Sequence, residues 1–412
     1  RRVALGLTGA VAVGGALAWG APPPACEPDV ALLGGAWSPE HRARVRQSFV
    51  DAGDVGLTAW STVSHEVDAA VALWTEQNLQ ACVLARDPEP QTAARGRTGL
   101  ACSVRAAAVI RDLAPVVETA EPSERLRAEG LRGVVTRLVD CESGVSPQTE
   151  ASLALASQMD HAVLAATLGR YDRVEALVRG ILDAPESESL PSVRASAHTM
   201  FWWVGRIRDE RDEERRHLHD ALAAAERGDH PNRIAQIWGD LAILEARSGN
   251  PARAEFFLDR ARRFVSEGRV STIRAAGLTM VEGQVLRFAG RHDEALPFFE
   301  RAVAACREVA PGSALLGWAL SNLAEAHASL GKPSKALASN VEAVEVFTRA
   351  LGGGHPDTAV AEAHLGARYV DAGECDRATP HLDRALASLR ADPVVFPEER
   401  TKAQRARARC AP

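Results

Sequence analysis

Glycine recurs through the C-terminal part of this chain on a fixed beat. Gly249, Gly290, Gly331 and Gly373 stand 41, 41 and 42 residues apart, Gly169 lies 80 residues before Gly249, and Asp209 fills the gap between them. Five residues after the four later glycines come Ala254, Ala295, Ala336 and Ala378, and twelve after come Ala261, Ala302, Ala343 and Ala385. Seven before stand Ala242, Gly283, Ala324 and Gly366. Such spacing predicts a helix–turn–helix unit repeated along the chain. Small residues mark where two helices cross, and a larger side chain would hold them apart. Glycine reverses the chain because it tolerates positive φ. No unit can bury its apolar face alone, so stacked units form one continuous core.

Composition agrees. Ala and Leu, both strong helix formers, dominate the apolar set, and only 5% of the 412 residues are aromatic. A large all-β fold is excluded. The net charge of -6 argues against nucleic acid, which requires a basic patch.

Val3–Ala21 is uncharged and as a helix would span about 28 Å, near the thickness of a bilayer core. Pro22, Pro23 and Pro24 stop it. Arg1 and Arg2 on one side and Glu27 and Asp29 on the other orient the N-terminus toward the cytoplasm. The expectation is a transmembrane anchor within residues 1–25, in an inner membrane, with the remainder periplasmic. A cleaved signal peptide is the rival reading and also places the remainder outside the cytoplasm. Because the chain starts at Arg1 rather than Met, a longer parent protein is expected. Gly6, Ala10, Gly14 and Ala18 form a small-residue ridge that would let two such helices pair, so a homodimer is one expectation.

Residues 26–150 read as a helical region carrying Cys26, Cys82, Cys102 and Cys141 together with Trp37, Trp60 and Trp74. Helices are expected at Leu57–Arg86, Thr92–Thr119 and Ser123–Cys141, broken by Pro-containing turns. Outside the cytoplasm four cysteines suggest two disulfides, and three pairings are open. A hairpin folding near position 121 sets Cys102 opposite roughly position 140. The favoured pairs are thus Cys102–Cys141 and Cys26–Cys82, against reduced core cysteines as the alternative. Cys306, Cys375 and Cys410 are scattered and receive no partner. The tryptophans read as core packing.

The repeat resembles the tetratricopeptide repeat. Trp238, Leu241, Ala242, Gly249, Ala254 and Ala261 carry the likeness, as do Leu365, Gly366, Tyr369, Gly373, Ala378 and Ala385. The 40–42-residue period is similar to the long variant of kinesin light chains, down to the Gly-His-Pro-Asp-Thr-Ala segment at Gly354–Ala359. The resemblance implies an all-α fold: an α-solenoid of about six hairpins over residues 151–412. The first two units are degraded, with Val174 and Ile181, then Trp202 and Glu214, in place of small residues. Glu398–Cys410 reads as a C-terminal cap. The anchor, the Cys/Trp segment and the repeats, in that order, resemble the transmembrane and extracytoplasmic part of myxobacterial-type serine/threonine protein kinases. That resemblance implies a kinase domain upstream. The chain departs from it before Trp74, where Val67-Asp68-Ala69-Ala70 lacks the family's Tyr, and after Cys141, which Glu142 follows directly.

No kinase motif, phosphate loop or Cys-x-x-Cys occurs in the chain, so neither catalysis, a cofactor nor a metal is expected of it. The run Arg208–Asp220, which includes His217 and His219, reads as a solvated helix face with i,i+4 ion pairs. In stacked repeats the first helix of each unit lines the concave side. On that side Trp203, Arg206, Gln236, Gln284, Arg287, Asn322 and Glu325 are the expected contacts for a peptide or protein tail. The expected function is a membrane-anchored sensor or scaffold in signal transduction. Alternatives are a stand-alone secreted or anchored adaptor, or a cytoplasmic repeat regulator.

Overall fold

The computed structural model describes residues 26–51, 53–118, 131, 134–135, 150–390 and 395–410. Among these residues there are sixteen α-helices and no strand. Helices α1 (Pro39–Val50), α2 (Gly53–Ala85) and α3 (Pro90–Glu118) form the front region. The array follows as six hairpins: α4 (Glu150–Thr167) with α5 (Tyr171–Asp183), and α6 (Pro191–Arg208) with α7 (Arg211–Arg227). Next come α8 (Pro231–Arg247) with α9 (Pro251–Ser266), and α10 (Thr272–Phe288) with α11 (His292–Val309). The last two are α12 (Ala314–Ser329) with α13 (Pro333–Leu351), and α14 (Pro356–Asp371) with α15 (Cys375–Arg390). Helix α16 (Pro397–Arg409) then packs on both helices of the sixth hairpin.

Local chemistry sets these boundaries. Proline stands in the first turn of α1, α6, α8, α9, α13, α14 and α16, where its missing N–H costs nothing. Each hairpin turn closes by a backbone bond that reaches back five residues. Arg170, Glu210, Asn250, Arg291, Lys332 and Glu374 donate to the carbonyls of Ala165, Gly205, Glu245, Leu286, His327 and Tyr369 over 2.8–3.0 Å. The turn residue is left-handed in every hairpin. Asp209 adopts it at φ 60°, which Asp tolerates better than most side chains.

The small residues sit at the helix crossings. A Cβ on Gly283 would lie 2.6 Å from the Phe299 ring, and one on Gly366 would lie 2.6 Å from Leu382. In the second hairpin Trp202 and Glu214 occupy the positions of the small residues, and the close approach shifts to Gly205, opposite the Glu214 backbone. Glu214 is buried and paired with Arg247 at 3.2 Å.

First helices touch one another along the array, as α8 does α10 and α14 does α16. Second helices pack on their own partner and on the first helix that follows, as α11 does on α12 and α13 on α14. The first helices therefore line the inner, concave side. The two ends of the array also meet. Phe396 donates its N–H to the Ile207 carbonyl at 2.9 Å. Val395 shares one apolar cluster with Tyr171, Ile207, Ala359 and Leu389.

The front region has its own core, in which Phe49, Val63, Trp74, Ile110 and Leu113 pack with Leu164 of α4 and with Leu168 just after it. Trp74 is buried and donates to the Ser103 carbonyl at 2.9 Å; Trp37 donates to Asp68 at 2.8 Å. Cys26 and Cys82 are bonded, with their Cα atoms 5.9 Å apart. Cys102 is disulfide-bonded. Cys141 lies outside the described residues, as does most of the expected helix Ser123–Cys141. Cys375 and Cys410, left unpaired by the sequence reading, are bonded with Cα atoms 5.4 Å apart, because α16 returns along α15. Cys306 is free and buried. No helix among the described residues is long and apolar enough to cross a membrane, and the expected span Val3–Ala21 lies outside them.

Candidate functional site: the concave groove

Polar side chains collect where the first helices face inward. On α8, Gln236 hydrogen-bonds to the Asp240 carboxylate. On α10, Gln284 donates its Nε2 to Asn322 Oδ1 of α12 at 3.3 Å, while Asn322 Nδ2 is taken by the Trp318 carbonyl at 2.8 Å. Glu325 of α12 pairs with Arg368 of α14 at 2.5 Å. His364 Nε2 meets Glu399 of α16 at 3.1 Å. The expected residues thus fall into separate polar groups: Gln236 with Asp240, near the charge of Arg274; Gln284 with Asn322; and Glu325 with Arg368, near the charges of Arg287 and His364. Arg206 is exposed and acts on the Asp240 carboxylate through its charge. Trp203 is different. Its ring packs edge-on against Tyr171 at 5.5 Å, between two apolar clusters.

Several atoms in this lining are buried and unpartnered: Asp240 Oδ2, Arg274 Nε, Gln284 Oε1, Arg287 Nε, Arg368 Nε and His364 Nδ1. Each such atom costs roughly 1–3 kcal/mol unless water or a ligand satisfies it. The set holds both donors and acceptors, as a peptide backbone does.

Electrostatics follow from the crowding. Desolvation pushes the Asp240 carboxyl up to about 7, against the opposing charges of Arg206 and Arg274. Burial lowers the pKa of Arg274 and of Arg287. Glu325 is shifted the other way: burial would raise it, but the charges of His364 and Arg368 outweigh that and hold it below its usual range. His364 is raised, because its bond to Glu399 and the charge of Glu325 outweigh burial. The groove therefore has an Arg-rich stretch on α6–α10 and a tightly paired acid–base stretch on α12–α16.

The reading of Arg208–Asp220 as a solvated face needs correction. Helix α7 packs between α6 and α8, so Glu214, His217 and Leu218 are buried. His217 Nδ1 lies 3.1 Å from His198 Nδ1 of α6, and Asp220 Oδ2 lies 3.9 Å from the same His198 atom. Three metal-ligating groups thus converge where the sequence suggested no metal site.

Comparison with known proteins places the repeat. Residues 278–347 match the tetratricopeptide repeat family. No curated protein matches the chain. Among solved structures, a Rap protein complexed with competence and sporulation factor is similar at 14% identity and TM-score 0.49, over 70% of this chain and 82% of that one. NprR in complex with its cognate peptide NprX is similar at 15% identity and TM-score 0.46, over 70% and 84%. A STAND signal-transduction ATPase with a tetratricopeptide repeat sensor from Pyrococcus horikoshii gives 14% identity and TM-score 0.41, over 83% of this chain and 53% of that one. The described residues form an all-helical repeat solenoid, of which residues 278–347 match the tetratricopeptide repeat family.

Proposed function

We propose that this chain is the ligand-binding sensor of a signalling protein, whose concave groove takes an extended peptide or protein tail. The observation that carries the proposal is the set of unpartnered buried atoms on the first helices, at Asp240, Arg274, Gln284, Arg287, His364 and Arg368. A phosphate or nucleic acid would call for donors alone. This lining offers both carboxylate or amide acceptors and guanidinium donors, which suits a main chain. Neighbouring first helices lie about 10 Å apart, so α8 to α14 would accommodate roughly nine extended residues. Trp318, exposed one turn before Asn322, offers an aromatic anchor.

In its fuller form, the proposal has Val3–Ala21 anchor the module to a membrane, with the repeats outside the cytoplasm and a serine/threonine kinase domain upstream as the responder. This chain contributes binding, not catalysis. The sequence supports this part through the uncharged segment, the cysteines outside the array and the order of segments.

The test is to pan displayed nine-residue peptides on the full chain and follow the enriched peptides by Trp fluorescence. Asn322→Ala and Arg287→Ala should each weaken binding about tenfold or more. Enrichment of nothing, or binding indifferent to both substitutions, would overturn the groove as the site.

A further inference from the structure

We infer that His198, His217 and Asp220 form a binding site for one transition-metal dication of the zinc class, clamping α6 to α7. The site is separate from the groove: His198 faces α7, not the line of first helices.

Distance is the first argument. Two ligands bound tetrahedrally at 2.0–2.1 Å stand about 3.3 Å apart. The two Nδ1 atoms stand 3.1 Å apart, and all three ligand atoms lie within 4.8 Å of one another. The imidazoles are nearly buried, whereas the Asp220 side chain is 48% exposed and free to swing in as the third ligand. A cleft of about 480 Å³ between α5, α6 and α7 opens onto both histidines, leaving a fourth position for solvent.

Orientation is the second. The His217 ring stacks on Phe201, centroids 4.5 Å apart and planes 8° from parallel. Its outer Nε2 lies 3.6 Å from the Glu213 carboxylate, beyond a hydrogen bond but within a small shift of the contact by which a carboxylate fixes a metal-bound imidazole with Nδ1 inward. Arg216 also reaches Nε2 at 3.2 Å and pairs with Glu213, so loading moves that guanidinium aside. Two imidazoles and a carboxylate, with no thiolate, suit zinc, cobalt, nickel or copper, and not calcium or magnesium.

Repeat register is the third. The residues eleven before, eight after and eleven after the turn face one another in the second, third and sixth hairpins. In the third hairpin they are Trp238, Phe257 and Arg260, with the rings 5.6 Å apart and the guanidinium over Trp238. In the sixth they are Glu362, His381 and Arg384, joined by hydrogen bonds. In the second hairpin, which has lost its small-residue crossing, the same slot holds three ligands. A metal there would supply the fastening that packing supplies elsewhere.

The test uses metal-stripped full chain, with zinc competed against a chromogenic chelator and cobalt followed by absorption. Wild type should take up one zinc and give the intense visible bands of four-coordinate cobalt. His198→Gln and His217→Gln should each lower affinity at least ~100-fold, and Asp220→Asn about tenfold. His219→Gln, whose ring lies against Phe257, should leave it unchanged. Four-coordinate cobalt bands absent from wild type, or zinc affinity equal in wild type and His198→Gln, would reduce the cluster to a hydrogen-bonded histidine pair. The cobalt readout needs no variant, so a misfolded substitution does not blunt the test. Peptide binding in the groove is scored separately.

Discussion

Gly283→Ala tests the crossing rule directly. The added methyl would lie 2.6, 2.8 and 3.0 Å from three carbons of the Phe299 ring, where about 3.5–4.0 Å is comfortable. Phe299 is fully buried, so the ring cannot swing into solvent. Overpacking of this kind costs about 1–3 kcal/mol. Alanine in a helix interior gains about 1 kcal/mol over glycine, which offsets part of that cost. The net is a loss of about 1 kcal/mol. The third hairpin holds Ala242 and Leu258 at the corresponding positions, both buried. Gly283→Ala with Phe299→Leu would reproduce that pair. In urea denaturation followed at 222 nm, the single Gly283→Ala variant should have a lower midpoint than wild type. In the Phe299→Leu background the same change should be neutral or stabilising, a coupling of at least about 1 kcal/mol. Gly283→Ala as stable as wild type, or an additive cycle, would refute the crossing as the reason for the small residue.

Two further predictions concern the cap and the groove. Cys410→Ser opens a loop whose ends are 35 residues apart in sequence; the chain-entropy account assigns that crosslink roughly 3–4 kcal/mol, so the melting temperature should fall and reducing agent should have less further effect than on wild type. Asp240, raised to about 7 by desolvation against Arg206, Arg274 and Gln236, holds its proton more tightly folded than unfolded, so its ionisation should erode stability as pH rises from about 4 to 7. Asp240→Asn should then match wild type near pH 4 and exceed it at pH 8 in chemical denaturation; an unchanged pH profile would count against a desolvated carboxyl.

The array was legible because its signals are local. A left-handed turn residue, a small crossing residue and a first-turn proline each act within one hairpin, so a single period exposes all of them. The Cys375–Cys410 bond and the meeting of Phe396 with Ile207 were not legible. The first depends on how α16 folds back along α15; the second depends on how far each hairpin rotates against the last, a quantity summed over the whole array that no short window contains. The second hairpin shows a related limit. Trp202 and Glu214 announced a lost crossing, but the compensation at Gly205 lies outside the repeat positions that carry the other units.

The groove could have been read more fully from the same register. Nine residues before the turn stand Asp240, Asn322 and His364, of which only Asn322 is among the contacts expected from the sequence. Asp240 is the more informative of the three: its carboxyl is desolvated, and its second oxygen has no partner. The slot eleven before and eight after the turn behaves likewise. Its two members are 19 residues apart in sequence yet face each other across the hairpin, as the His198–His217, Trp238–Phe257 and Glu362–His381 contacts do. Charge and polarity along one helix cannot show this, because His217 looks solvated until its partner on the antiparallel helix is counted. In a repeat protein the register is a contact map, and chemistry should be sought at aligned positions across a hairpin before it is sought along a helix.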